Sequence, residues 1–145
     1  MDVIRKRKIL SYKTLTIFCS LNENLIYEAI QRENLRGGQV YYLCNDLSLI
    51  EDRRLRLQEK FNDLIIEVVH GQLKANAIEE IMLKFNTGEI DILVCSTIIE
   101  SGIDVSNANT LIVEDADKFG LSQLHQLRGR VGRGNKDSTC IIMFK

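Results

Sequence analysis

Short apolar runs alternate with stretches of helical periodicity along this chain. Leu15–Cys19 is β-branched and aromatic and reads as a strand. Ser20-Leu-Asn-Glu23 follows with the signature of a capping box, a hydroxyl at the helix start and a carboxylate three residues on. Ile26, Ala29 and Ile30 then recur at helical spacing, and Gly37-Gly38 offers the left-handed conformation that ends a helix. Val40–Leu43 predicts a second strand. Asn45 or Asp46 is placed to cap a helix carrying Leu47, Ile50, Leu57 and Phe61. Leu64–Val69 is apolar except for Glu67 and predicts a third strand. Ile78, Ile81, Met82 and Phe85 mark an amphipathic helix at i, i+3, i+4, i+7, with Gly88 just beyond it. Strands are predicted again over Ile90–Cys95, Thr110–Val113 and Cys140–Phe144, with a helix through Leu121, Leu124 and Leu127 before the last.

Strands alternating with helices imply βαβ units and a mostly parallel sheet. Ile92–Cys95 and Thr139–Phe144 are apolar on both alternating faces, as in a sheet covered by helices on both sides. The expected class is therefore α/β. Ligands of such sheets bind beyond the carboxyl ends of the strands. That directs attention to the loops starting near Asn45, His70, Ser96 and Glu114. The chain shows no internal repeat and no low-complexity linker.

Composition narrows the function classes. The 145 residues suit one domain. Nineteen Lys and Arg against 20 Asp and Glu give a net charge of −1, and the pI is near 6.1. A whole-domain nucleic-acid footprint would raise the pI above about 9, so any contact with DNA rests on a local patch. Cys19, Cys44, Cys95 and Cys140 lack zinc spacing and lie in or beside apolar runs, which predicts reduced thiols in a cytoplasmic protein. No apolar stretch reaches the roughly 20 residues of a membrane span. Met1–Lys8 is basic but has no signal-peptide core. The complete absence of proline, where about seven are expected at average usage, excludes proline-stiffened segments and little else.

Two stretches carry chemistry. Gln126-Leu-Arg-Gly-Arg-Val-Gly-Arg-Gly134 places Arg128, Arg130 and Arg133 among three glycines. Guanidinium forks suit phosphate, and glycines let backbone approach it. A solvated basic helix end is the competing explanation. The glycine order is the reverse of a dinucleotide fingerprint and follows a helix, so nicotinamide binding is disfavoured. Val94–Asp104 leaves a strand with Ser96, Thr97 and Ser101 as hydroxyls, Gly102 as exposed backbone, and Glu100 and Asp104 as acids. These groups suit a nucleic-acid phosphate and a ribose hydroxyl; capping and turn formation compete. Glu114-Asp115 imitates a Mg²⁺-holding acidic motif. The chain has no Gly-Lys dipeptide and hence no phosphate-cradling loop, so structural or surface roles are expected for these acids. His70 and His125 are not at metal spacing, no metal site is expected, and no Gly-x-Ser-x-Gly elbow supports hydrolase chemistry.

Together the two stretches resemble motifs V and VI of superfamily 2 helicases and translocases. Gly37–Leu43, His70-Gly-Gln72, Cys95–Asp104, Ala108-Asn-Thr110 and Phe119–Arg133 resemble the family of bacterial transcription-repair coupling factors. The fork-reversing RecG helicases share Gln123–Arg133, and Arg32–Leu43 favours the coupling-factor side. Relatives commonly carry proline where this chain has Ser106. The resemblance covers almost the whole chain and is weakest over residues 1–20. It implies an N-terminal linker and first strand over 1–20, and over 21–145 a RecA-like lobe of the P-loop NTPase type.

The lobe implied is the second of a two-lobed motor. The first lobe, with its phosphate loop and Mg²⁺-binding acids, would then be absent here, as would a translocation motif beyond Lys145. Family roles carried over by position put Arg133 at the γ-phosphate of ATP as the arginine finger, with Arg130 beside it. Gln126 and Arg128 would orient that segment, and Gly102 and Asp104 would face the nucleotide. Thr97, with Ser96, Asn45, His70 and Gln72, would contact DNA phosphate. ATP with Mg²⁺ is the implied cofactor pair. The implied partners are double-stranded DNA, the first lobe and, through other regions, RNA polymerase and excision-repair proteins. A RecG-like lobe, or a non-catalytic DNA- or protein-binding fragment, is the alternative.

Overall fold

The computed structural model describes residues 14–96, 108–128 and 137–145. Its strands are β1 (Thr14–Ser20), β2 (Gln39–Cys44), β3 (Ile66–Val69), β4 (Ile92–Cys95), β5 (Ala108–Glu114) and β6 (Ser138–Phe144). Its helices are α1 (Glu23–Leu35), α2 (Leu47–Lys60), α3 (Ala75–Asn86) and α4 (Leu121–Arg128), with a 3-10 turn over Ala116–Lys118. The strands form one sheet in the order β1-β6-β5-β2-β4-β3. Every neighbouring pair is parallel.

Parallel neighbours need long crossovers, and those crossovers put helices on the faces of the sheet. Alternation within β2 shows the result. Val40, Tyr42 and Cys44 pack with Ile26, Ile30, Ile50, Leu57 and Ile112 under α1 and α2. Tyr41 and Leu43 point the other way and pack with Phe85, Leu111, Val113, Leu124 and Cys140 under α3 and α4. All residues of β2 and β4 are buried. The α/β architecture expected from the pattern is therefore present, with the sheet wholly parallel among the described residues.

Local signals decide the helix ends. The capping box expected at Ser20 does not form. Ser20 closes β1, and α1 is capped by Asn22, whose side chain accepts a hydrogen bond from the Leu25 amide at 3.2 Å. Pairing with β6 holds Ser20 in the ladder opposite Phe144, and Asn22 is the next good capping residue. Asp46, one of two candidates, caps α2 by accepting from the Ser48 amide at 3.0 Å. Gly37 and Gly88 take φ of +78° and +86° just past α1 and α3, where glycine has no Cβ to clash.

Strand limits differ from the apolar runs for identifiable reasons. Ile65 precedes β3 because its amide donates to Asp91 Oδ2 at 2.8 Å instead of to a ladder. The carbonyl of Ile90 accepts from the buried Gln39 side chain at 2.6 Å, ahead of β4. β1 pairs with β6 from Thr14 to Ser20, so this segment joins the same sheet as the rest of the chain. All four thiols are free; Cys19 is half-buried and the other three are buried.

Candidate nucleotide and nucleic-acid interface

The carboxyl ends of β2, β4 and β3 lie side by side. They gather Asn45, Ser96, His70 and Gln72 at one edge of the sheet. Ser96 follows β4 directly, and its amide donates to the carbonyl of Val69 at 3.3 Å. Its Oγ is buried and finds no hydrogen-bond partner among the described residues. His70 opens a turn: its carbonyl accepts from the Leu73 amide at 3.2 Å. Its Nδ1 accepts from the Gln72 amide, also at 3.2 Å. An accepting Nδ1 leaves the proton of the neutral ring on Nε2, available as a donor. Gln72 is exposed, while Asn45 and His70 are half-buried.

The charges at this edge are mostly paired with one another. Arg53 on α2 is 5% exposed. It reaches Glu114 at the end of β5 (2.7 Å) and Glu23 at the start of α1 (3.2 Å). Its guanidinium lies 5.6 Å from the centre of the Tyr42 ring. The Tyr42 hydroxyl donates to Glu114 Oε1 at 2.5 Å. Burial, and then the Glu114 charge, push the Tyr42 phenol well above its usual value. Burial and Glu114 likewise push the Cys44 thiol up to about 11. For Arg53, burial opposes the charge, but Tyr42, Glu114 and Glu23 together outweigh it and its proton is held more tightly than usual. Burial also works against the Glu23 carboxylate, yet hydrogen bonds from Arg56 and Arg53 keep its pKa below the ordinary range. Lys118 bridges Asp46 (3.6 Å) and Asp115 (3.2 Å), and Asp115 takes a left-handed φ of 57°. The expected structural role of Glu114-Asp115 is what these contacts show.

Gln126 sits apart from this edge. It is exposed on α4, the helix that runs back from the carboxyl end of β5 and ends at Arg128, also exposed. The side chains of His125 and Arg128 border a shallow groove against Thr16, Phe18 and Ile142. Arg128 is near enough to Cys140 to oppose, without overcoming, the burial that raises that thiol to about 11. β6 resumes at Ser138, behind Asp137. Thr97, Gly102, Asp104, Arg130 and Arg133 lie outside the described residues. The structure thus brings four of the five DNA candidates to one edge and places one nucleotide candidate, Gln126, on a helix away from it.

Comparison with known proteins identifies the domain. Residues 20–135 match the helicase conserved C-terminal domain. The chain belongs to that family. Over 115 residues it is 56% identical to the transcription-repair-coupling factors of Staphylococcus haemolyticus and Staphylococcus aureus, a match covering 79% of this chain and 10% of theirs. The helicase C-terminal lobe therefore spans about a tenth of the length of these relatives. A solved structure of RecG bound to a three-way DNA junction superposes with a TM-score of 0.77 at 35% identity, over 92% of this chain and 18% of that one. The Lhr helicase of Mycobacterium smegmatis, bound to single-stranded DNA and AMP-PNP, shares the fold, with a TM-score of 0.74 at 17% identity.

Two buried polar clusters of the lobe went unnoticed in the sequence. One is Arg53 with Tyr42 and Glu114. The other is Glu33, 1% exposed, which accepts from Arg36 Nε at 2.8 Å, Arg36 Nη2 at 3.0 Å and Thr110 Oγ1 at 2.6 Å. A signal for both was present. Ile26, Ile30 and Glu33 share one stripe of α1, and Ile50, Arg53 and Leu57 share one stripe of α2. A charge at a stripe position is buried with its element and needs a partner. Among the described residues no group of three His, Cys, Asp or Glu is arranged to hold a metal ion. No helix among them is long and apolar enough to cross a membrane.

Proposed function

We propose that this chain is the second motor lobe of an ATP-dependent double-stranded DNA translocase of the coupling-factor type. Such a motor, in the cytoplasm, would displace stalled RNA polymerase and bring excision-repair proteins to the lesion. The observation that carries the reading is the 56% identity to coupling factors over 115 residues. The 35% identity to RecG, solved on a DNA junction, supports a DNA motor and favours a fork-acting helicase as the second reading.

On this reading the lobe contributes donors toward ATP. Arg133 is the arginine finger, Arg130 a second phosphate contact, and Gln126 an orienting amide; Gly102 and Asp104 face the nucleotide. Guanidinium groups match the oxygens of a transferring phosphoryl group and stabilise the charge that develops on them. Mg²⁺ is held mainly by the first lobe. Thr97, Ser96, Asn45, His70 and Gln72 hold DNA phosphates. The Ser96 hydroxyl, without a partner among the described residues, and the His70 Nε2 donor suit that task.

The test is Arg133→Ala in the two-lobed motor. It should lower kcat for ATP by about 10³-fold or more while the KM changes little; hydrolysis near the wild-type rate overturns the assignment. Thr97→Ala should weaken DNA stimulation of that turnover. The 145 residues alone contain no Gly-Lys dipeptide, so steady ATP turnover by them would refute the division of labour between lobes.

A further inference from the structure

The two sequence segments that carry the nucleotide candidates Gly102, Asp104, Arg130 and Arg133, residues 97–107 and 129–136, lead into neighbouring strands. Residues 97–107 lead into β5, which begins at Ala108, two positions before Thr110. Residues 129–136 lead to Asp137 and then β6. β5 and β6 are adjacent, with Thr110 opposite Thr139. The end of α1 is fastened to both points. Glu33 Oε1 accepts from Thr110 Oγ1 at 2.6 Å, and Arg36 grips both oxygens of Glu33. The same Arg36 Nη2 donates to the carbonyl of Asp137 at 2.5 Å. One carboxylate–guanidinium pair therefore ties the points where both segments return to the fold.

A buried ion pair is weak evidence for stability, since well-packed apolar residues often serve as well or better. Its distinctive property is geometry: a guanidinium fork accepts few orientations, and Arg36 has its fork on Glu33 with a third bond to a backbone carbonyl. The site is also built tightly, because Gly38 leaves no room for a Cβ beside the Glu33 carboxylate.

We propose that Arg36, held by Glu33, is a positioning residue for ATP hydrolysis: it fixes the start of β6 against the start of β5, the two points at which the segments bearing Arg130, Arg133, Gly102 and Asp104 join the sheet in sequence. This rests on the reading that Arg130 and Arg133 meet the phosphates of ATP. A catalytic group displaced by about 1 Å can lose on the order of 10²-fold in rate. The expected signature is a loss in kcat with KM nearly unchanged, because the nucleotide still binds while the transition state is poorly met.

The experiment uses the full-length protein that carries these residues, with Arg36→Ala, Thr110→Val and Arg133→Ala compared by ATPase kinetics and by melting. Thr110→Val removes only the hydroxyl strap, so it guards against a variant that fails to fold. Arg36→Ala should lower kcat by about 10- to 100-fold with KM within about twofold, and Thr110→Val should lower kcat by a smaller factor. Guanidinium ion at millimolar concentration should restore part of the Arg36→Ala rate. Arg36→Ala and Thr110→Val at wild-type kcat, with Arg133→Ala inactive, would overturn the positioning role alone. Arg133→Ala at wild-type kcat would overturn the nucleotide reading beneath it.

Discussion

Alanine at position 38 measures how tightly the Glu33 site is built. Gly38, unlike Gly37, has no positive φ, so alanine meets no backbone penalty there. A Cβ at that position would lie 2.7 Å from Cδ of Glu33 and 3.1 Å from its Cγ, and nearer still to Oε2. Carbon atoms in contact sit about 3.5–4.0 Å apart, so the carboxylate must retreat by roughly 1 Å. Retreat stretches its bonds to Thr110 and Arg36, now 2.6 to 3.0 Å. Overpacking costs about 1–3 kcal/mol, and a hydrogen bond to a charged group contributes about 1.5–3 kcal/mol. Arg36 is partly exposed and recovers some of its loss through water. The net expectation is a destabilisation of about 3 kcal/mol, or a Tm lower by about 10 °C for a chain of this size. In a Glu33→Ala background the clash is gone, and Gly38→Ala should be neutral or stabilise by up to about 1 kcal/mol by restricting the unfolded chain. Urea unfolding of the four proteins of this cycle, followed by circular dichroism, gives the coupling directly. An equal cost of Gly38→Ala in both backgrounds would refute the steric account.

Arg53→Met strips Glu114 and Glu23 of their shared cation and should cost about 3 kcal/mol, read as a lower urea midpoint at constant m; an unchanged midpoint would show the network to be dispensable. Asn22→Ala should cost about 1 kcal/mol and Ser20→Ala less than about 0.5 kcal/mol, because the cap of α1 is Asn22. In acid, Glu23 and Asp46 bind protons less readily folded than unfolded. Their contribution is complete above about pH 5 and is lost as pH falls through their lowered values. In alkali the sign reverses: Cys44 and Cys140 hold their protons to about 11 when folded, against 9.0 ordinarily. The unfolded chain binds fewer protons between those values, so urea midpoints should decline from about pH 9 upward; a midpoint flat to pH 11 would contradict the burial of these thiols.

The apolar pattern was enough for the architecture, because strands buried on both faces and helices with one apolar stripe leave few alternatives. What it missed was set by partners distant in sequence. Ser20 has the residue type of a cap, but the ladder with β6 claims it. Ile65 and Ile90 look like strand residues, but side chains of Asp91 and Gln39 take their backbone groups. The arginine segment stood out in the sequence as a compact local motif, and Arg130 and Arg133 lie outside the described residues. Glu33 and Thr110 were not, since their meeting joins residues 77 positions apart. The rule that ligands lie beyond strand carboxyl ends located Asn45, His70, Gln72 and Ser96 together. It did not cover Gln126, because α4 carries that residue back across the face of the sheet.

The four cysteines sit on four different strands: Cys19 on β1, Cys44 on β2, Cys95 on β4 and Cys140 on β6. None is bonded to another, and three are shielded from water. Alkylating reagents attack only the thiolate, and only when it is reachable. Each buried thiol thus stays silent until its own strand opens, and Cys19 at the sheet margin answers first. Peptide mapping after a timed pulse of iodoacetamide would give the order in which the strands come apart, with no label added to the chain.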